Sequence, residues 1–475
     1  MKLISPRARR DLAEEVNQRV AEQADVIFGL SDEVASFAEP GLGEDRSAAA
    51  LCAFLEKEGF DVHRPIVALP TAFLGSWESG SGGPTIGLMC EYDATPGDSQ
   101  QPVPLPSPVS PDACGFADLH NGIGAASVGA AVVAKRILEQ RHWPARLMVF
   151  GTPAEKLCIG KPVMAASGLF DGVSAFVAWH PRTYTTLEWD SGPGCYQLSI
   201  FDFAGRAAYA GAPWAGVSAL DTALLMNIGV QFMREHIPRD YATTVSEVIT
   251  QGGQHPTSIP ARAQVWYAAR SPQSEGVRHA DALLERCAEA ACHITGATFG
   301  SSLVSATRPW LPNHSMARLC YDALQLIGPP RFPEPAKKFA LKMLEVLNAP
   351  DTDGEPFDES LTDPELGVTR DFAGGADDVT EFTWHAPTAR IYVAYGLKGG
   401  PWPSWTGAAL ATMDAAHETV RVAASAVALS TLELVRQREV LDQAVEEFRS
   451  RTAKRRLEPL LPSDWTLPEG AVMPR

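Results

Sequence analysis

Thr85-Ile86-Gly87-Leu88-Met89-Cys90, followed at once by Glu91-Tyr92-Asp93, is the stretch on which the fold turns. An uncharged run of this length, without alternation, reads as a strand buried on both faces. The pattern then recurs. Gly124 to Glu139 (GAASVGAAVVAKRILE) is an Ala-rich helix with an apolar stripe, and Ala145 to Phe150 (ARLMVF) is a second buried strand. Val173 to Trp179 (VSAFVAW) is a third. Buried strands alternating with helices predict an α/β domain built on a doubly wound sheet. In such sheets ligands bind beyond the carboxyl ends of the strands.

A chain of 475 residues exceeds what one hydrophobic core usually serves. From Asp11 to about Gly59 helical periodicity predicts two helices. Near Asp190 the character changes. Tyr196 to Phe203 alternates as a half-exposed strand does, and a helix is expected from Ser218 to about Glu235. Strands follow near Thr243 to Thr250 and Ala263 to Ala269, then a helix from about Ser274 to Gly296, with one more strand to come. That order fits an inserted α+β layer of ferredoxin-like type. The expected division is residues 1–192 and 307–475 for the larger domain and 193–306 for the insert.

A net charge of −17 argues against nucleic acid, which needs clustered Lys and Arg. No apolar run approaches the ~20 residues of a membrane span, so no membrane partner is expected. The N-terminus lacks the apolar core of a signal peptide. The eight cysteines form no paired motif, which reads as free thiols in a reducing cytoplasm.

Chemistry-bearing residues gather after the buried strands. The first strand runs into Glu91 and Asp93, and a loop then delivers Asp118-Leu119-His120-Asn121 to the start of the Ala-rich helix. The second runs into Glu155-Lys156 and the third into His180-Pro181. Singly, each has an ordinary explanation: a helix cap, a boundary histidine, a surface ion pair. Their convergence points elsewhere. Asp118, His120 and His180 form a two-histidine, one-carboxylate set able to hold one divalent metal, and Glu155 is a carboxylate left over to activate water.

These residues resemble the aminoacylase/carboxypeptidase G group of metallopeptidases. The likeness runs through Cys90-Glu91-Tyr92-Asp93-Ala94, Ala117-Asp118-Leu119-His120-Asn121, Gly151-Thr152-Pro153-Ala154-Glu155, Trp179-His180-Pro181, Ala204-Gly205-Arg206-Ala207-Ala208, Gly252-Gly253 and Trp310-Leu311-Pro312-Asn313. The resemblance implies a metallopeptidase-type catalytic domain with an inserted lid that mediates dimerisation, giving a homodimer or higher homo-oligomer. It also implies hydrolysis of an amide-type C–N bond in a small, aromatic carboxylate substrate.

Departures from the family pattern reshape the expected site. The usual Cys-Gly-His is Asp118-Leu119-His120, and the usual Glu-Glu is Glu155-Lys156. The late ligand histidine is replaced at Pro403. These changes remove the ligands of one metal of the family's pair and keep those of the other. One divalent ion per chain (Mn²⁺, Zn²⁺, Co²⁺ or Fe²⁺) is therefore expected, with the Lys156 ammonium near the place of the missing cation. On the substrate side the lid's histidine becomes Tyr209 and its asparagine becomes Thr257, and Arg270 is an expected carboxylate clamp. Asp93 is expected behind a ligand histidine, and Asp378 falls in an Asp-rich turn. Two other outcomes fit the same residues: aromatic deamination, replacing an aryl amine by hydroxyl, or an inactive subunit that binds a small acid.

Overall fold

The computed structural model describes residues 5–67, 69–190, 192–350, 352–366, 375–454, 457–462, 464–468 and 471. The chain opens with α1 (Pro6–Glu22), α2 (Ala24–Phe37) and α3 (Asp45–Lys57). This corrects the expectation of two helices. Gln23 breaks the first from the second, and Ala38 closes the second in the left-handed region at φ 45°. Then come β1 (Asp61–His63), β2 (Phe73–Ser79), β3 (Thr85–Cys90), α4 (His120–Arg141), β4 (Ala145–Gly151), α5 (Gly160–Ala166), β5 (Ala175–Arg182) and β6 (Thr186–Leu187).

The insert follows as β7 (Cys195–Ala204), β8 (Ala208–Tyr209), α6 (Ala219–Met233), β9 (Thr244–Gln251), β10 (Ser258–Ile259), β11 (Arg262–Ser271), α7 (Ser274–Thr295) and β12 (Thr298–Thr307). The chain returns through α8 (His314–Ile327), α9 (Glu334–Val346), β13 (Thr388–Ala394), α10 (Trp405–Leu410), α11 (Asp414–Arg436) and α12 (Arg438–Lys454).

The larger sheet has the order β1-β2-β4-β3-β5-β13-β6. Its centre is parallel, with β3 between β4 and β5 and β13 alongside β5. The edges are antiparallel, as β2 pairs with β4 and β6 with β13. The buried strands lack alternation because both faces are covered: α4 and α11 pack on one, where Cys90 Sγ meets the Gly124 carbonyl, and on the other Phe150 and Phe176 pack with Phe170 and Phe382. The third buried strand extends further than the sequence expects. His180 and Pro181 lie inside β5, where they pair in register with Tyr392 and Val393 of β13.

The insert is a four-stranded antiparallel sheet of order β12-β7-β11-β9. It has its own core, in which Phe201, Val265 and Tyr267 meet Ala223, Met226, Leu284 and Ala288 from α6 and α7. That core is separate from the one formed by the larger sheet and its helices. Thus β7 and β12 are the two points at which the larger layer hands the chain over and takes it back. Among the described residues no helix is long and apolar enough to cross a membrane, and all eight cysteines are free.

Close backbone approach links the C-terminal part to the loop that precedes α4. Gly407, in α10, sits so near Ala117 that a Cβ would lie 1.9 Å from the Ala117 carbonyl oxygen. Replacing Gly407 by Ala is expected to cost about 1–3 kcal/mol through overpacking. Urea unfolding against the parent chain measures it, and an unchanged midpoint would refute the close contact.

Candidate metal and active site

Strand ends build the site. Beyond β3 the side chains of Glu91 and Asp93 share one face, as residues two apart in an extended chain do, and both are fully buried. Beyond β4 the chain turns sharply at Ala154, whose φ is 57°, into a 3-10 turn over Glu155–Leu157. The Ala154 N–H donates to Glu44 Oε1 at 2.8 Å, so a buried carboxylate from the edge of α3 holds the turn that presents Glu155. His120 is the first residue of α4, and His180 lies near the end of β5.

Asp93 orients two of these groups. Its Oδ1 lies 2.8 Å from His120 Nδ1 and its Oδ2 accepts the Lys156 backbone N–H at 2.9 Å. With Nδ1 engaged, His120 presents Nε2 to the cluster. His180 Nδ1 donates to the Pro181 carbonyl at 2.8 Å, which leaves its Nε2 lone pair free. Burial, and then the charges of Arg390, Arg182 and His120, hold His180 well below the usual histidine range. A neutral imidazole is the form that coordinates a metal. The two rings meet edge to face, 5.7 Å between centroids.

Lys156 stands among the acids. Its Nζ donates to Asp118 Oδ2 at 2.6 Å and to Glu155 Oε2 at 3.1 Å, and lies 2.9 Å from His120 Nε2. Burial opposes its charge, but Asp118, Glu155 and Asp93 outweigh burial and keep it a firm cation. Burial pushes Glu155 up to about 7, with Lys156 and His120 pulling it down and Asp377 and Glu91 adding to the rise. A carboxylate at that level can take a proton and return it near neutral pH.

Deeper in, Lys161 is fully buried between two carboxylates. Its Nζ donates to Glu91 Oε1 at 2.6 Å and to Asp378 Oδ1, and its backbone N–H reaches Asp378 Oδ2 at 3.1 Å. Arg390, fully buried on β13, is paired with Asp377. Six buried carboxylates (Glu91, Asp93, Asp118, Glu155, Asp377, Asp378) therefore share the region with three cations (Lys156, Lys161, Arg390). Burial lifts Glu155 and Asp378 toward their neutral forms, and against burial Asp118 and Asp93 raise His120 to about 9, so part of this charge is balanced by the cluster's own protons.

Two buried oxygens remain open to a cation. Glu91 Oε2 and Asp118 Oδ1 have no hydrogen-bond partner among the described residues. Glu91, His120 and His180 each place one ligand atom within 4.8 Å of the other two. A second trio of Glu91, Asp377 and Asp378 meets the same distance, but Lys161 and Arg390 already pair with all three carboxylates. The first trio suits a divalent ion. The second does not.

The structure thus brings Asp93, Asp118, His120, Glu155, Lys156 and His180 together, with Asp378 one layer behind. It sets the three lid residues apart. Tyr209 is 72% exposed and pairs in register with Ser258, beside Thr257, whose hydroxyl meets His255 Nδ1 at 2.7 Å. Arg270 lies with its guanidinium 5.3 Å from the Tyr196 ring and donates to Ser246 Oγ at 3.4 Å. None of the three has a described hydrogen bond to the catalytic residues. Sequence reasoning did not single out Glu91, Lys161, Asp377 or Arg390 as site residues. The period-two spacing of Glu91 and Asp93 was a usable signal for the first, and Asp377 adjoins Asp378. Nothing local marked the other two, because their partners lie far away in the chain.

Comparison with known proteins bears on the same residues. No family model matches the chain. A p-aminobenzoyl-glutamate hydrolase component of Escherichia coli K12 is 29% identical over 445 residues, covering 89% of this chain and 92% of the relative. The chain is a homologue of that hydrolase component. The Xaa-Arg dipeptidase of Mus musculus is 29% identical over 59% of this chain and 63% of its own length. Among solved structures, an aminobenzoyl-glutamate utilization protein from Klebsiella pneumoniae superposes with a TM-score of 0.62 at 15% identity, over 88% of this chain and 98% of that one. A dinuclear metal-binding peptidase from Bacillus subtilis gives 0.50 at 17% identity, over 85% and 98%. These likenesses show the fold, a metallopeptidase-type catalytic domain with an inserted lid.

Replacing Lys161 by Met would leave Glu91 and Asp378 buried without their shared cation. The expected loss is about 3–5 kcal/mol of stability. It is read from the shift in denaturant midpoint, and a loss under about 1 kcal/mol would show that this ammonium is not the clamp.

Proposed function

We propose that this chain is a metal-dependent hydrolase that cleaves a C–N bond of a small aromatic carboxylate, with Glu155 as general base. The observation that carries the reading is the gathering of two metal-competent imidazoles and unpaired buried carboxylate oxygens beside a carboxyl group lifted to about 7. His120 and His180 would hold one divalent ion (Mn²⁺, Zn²⁺, Co²⁺ or Fe²⁺), with Asp118 offering a carboxylate from the cleft side. Such an ion supplies Lewis acidity, lowering the pKa of water toward neutrality and polarising the scissile group.

The chain's own residues do the rest. Glu155 takes a proton from water and returns it to the departing nitrogen. Lys156, fixed by Asp118 and Glu155, places a permanent positive charge beside the reacting centre and offsets the negative charge that develops there. That ammonium supports a count of one metal, since it occupies space and charge that a second cation would need. Asp93 keeps the His120 ring in place. Arg270, on a lid strand, is the proposed clamp for a substrate carboxylate, with Tyr209 and Thr257 as lid donors.

Amide and aryl-amine substrates both satisfy this arrangement. The amide is supported by the name of the hydrolase relative, which acts on p-aminobenzoyl-glutamate. The aryl amine is supported by Lys156, because a fixed ammonium can stabilise a delocalised anion without a second metal. Turnover of p-aminobenzoyl-glutamate set beside amino- and nitrobenzoates separates the two.

The lid also carries the apolar face expected of a homodimer. Leu224, Ile228 and Phe232 recur every fourth residue along α6 and are 43%, 53% and 71% exposed. Beside them runs edge strand β9, with Val248 and Ile249 exposed as well. Unpaired strand edges next to apolar helix faces associate.

Two measurements test the proposal. Glu155→Gln should lower kcat by about 10²–10⁴-fold while metal content stays at the parent level; undiminished turnover would remove Glu155 from the role. Phe232→Glu should shift the sedimentation coefficient toward the monomer, and an unchanged value would place the interface elsewhere.

A further inference from the structure

The geometry points to Glu91 as a direct ligand of the metal, approaching it from the buried side of the sheet. This rests on the reading that the site takes a divalent ion, and it adds a residue that the two-histidine, one-aspartate set leaves out. Glu91 follows β3 directly, and its side chain is fully buried. Its two oxygens are unlike. Oε1 is committed to Lys161 Nζ at 2.6 Å. Oε2 has no hydrogen-bond partner among the described residues and lies 3.8 Å from His120 Nε2.

That separation is what a shared ion produces. Metal–oxygen and metal–nitrogen bonds of about 2.0–2.2 Å bring two ligand atoms on one ion to within about 4 Å of each other. His180 completes the triangle, its ligand atom within 4.8 Å of both. Asp118 is placed differently. Its Oδ2, the oxygen 3.6 Å from His120 Nε2, is already held by Lys156 at 2.6 Å, and Asp118 does not join the trio of Glu91, His120 and His180. Glu91 is also the better anchored of the two carboxylates. Lys161 fixes its far oxygen and is itself fixed by Asp378, so the free oxygen is aimed before any ion arrives. In this arrangement Lys161, Asp378 and Glu91 form a chain in which the first two position the third, and the ligand faces the histidines.

Metal binding by the full chain tests this without reference to turnover. Mn²⁺ titration followed by calorimetry, with metal analysis after gel filtration, is run on the parent, Glu91→Gln and Glu91→Asp. The amide of Glu91→Gln can still accept from Lys161, so the fold is expected to survive, checked by circular dichroism. Its Mn²⁺ affinity should fall by more than about 100-fold, beyond the 10–100-fold ordinary for an outer-shell partner. A loss of about 100-fold or less would overturn the assignment. If Glu91→Gln fails to fold, Glu91→Asp decides, since it keeps the charge but withdraws the oxygen by one methylene. Its Co²⁺ complex should then show a changed d–d absorption spectrum, and an unaltered spectrum would overturn the assignment. A parent chain that takes up no metal would instead defeat the metal-hydrolase reading itself.

Discussion

A single buried ammonium ties this catalytic layer together. Lys161 bridges Glu91, which follows the central strand β3, and Asp378, which opens the turn before β13. These two carboxylates come from parts of the chain separated by the whole insert. Burying three charges in such a place is costly, and the cost is met only when all three are present and well aligned. The bond therefore requires that the returning C-terminal part dock correctly before the site can form. Arg390 and Asp377 repeat the arrangement one position along, and Arg308 with Glu381 repeats it again where β12 hands the chain back.

The active site inherits its order from that foundation. Parallel strands β3 and β4 run into carboxylates, Glu91 and Asp93 after the one and Glu155 after the other, and β5 carries the imidazole of His180 near its end. Glu44 shapes the turn bearing Glu155, Asp93 orients His120, and the Pro181 carbonyl sets the tautomer of His180. Glu155, His120 and His180 are thus each held by a partner from a neighbouring part of the cluster. Preorganisation of this kind keeps the cost of ordering out of the chemical step.

Lys156 gives the site its individual character. Where the family's pattern has a second glutamate, this chain presents an ammonium that binds the neighbouring acids directly. A covalently tethered cation has no coordination geometry to satisfy and cannot leave. It supplies charge but no open position for water or substrate.

Much of this was legible in the sequence, because it depends on local pattern. The uncharged run at Thr85–Cys90 and the run at Ala145–Phe150, apolar but for Arg146, read as buried strands, and the residues directly after them lie at the carboxyl end of the sheet. The insert was legible for the same reason, since alternation over Tyr196–Phe203 marks a half-exposed strand whatever it pairs with. Tertiary structure alone decided which charges meet. Nothing near Lys161 announces that it faces Glu91 and Asp378, for its partners lie 70 and 217 residues away. Nor does a one-dimensional pattern say which oxygen of a carboxylate is left unpaired. Local periodicity depends on a residue's own neighbours, and ion pairing depends on every strand the sheet brings alongside.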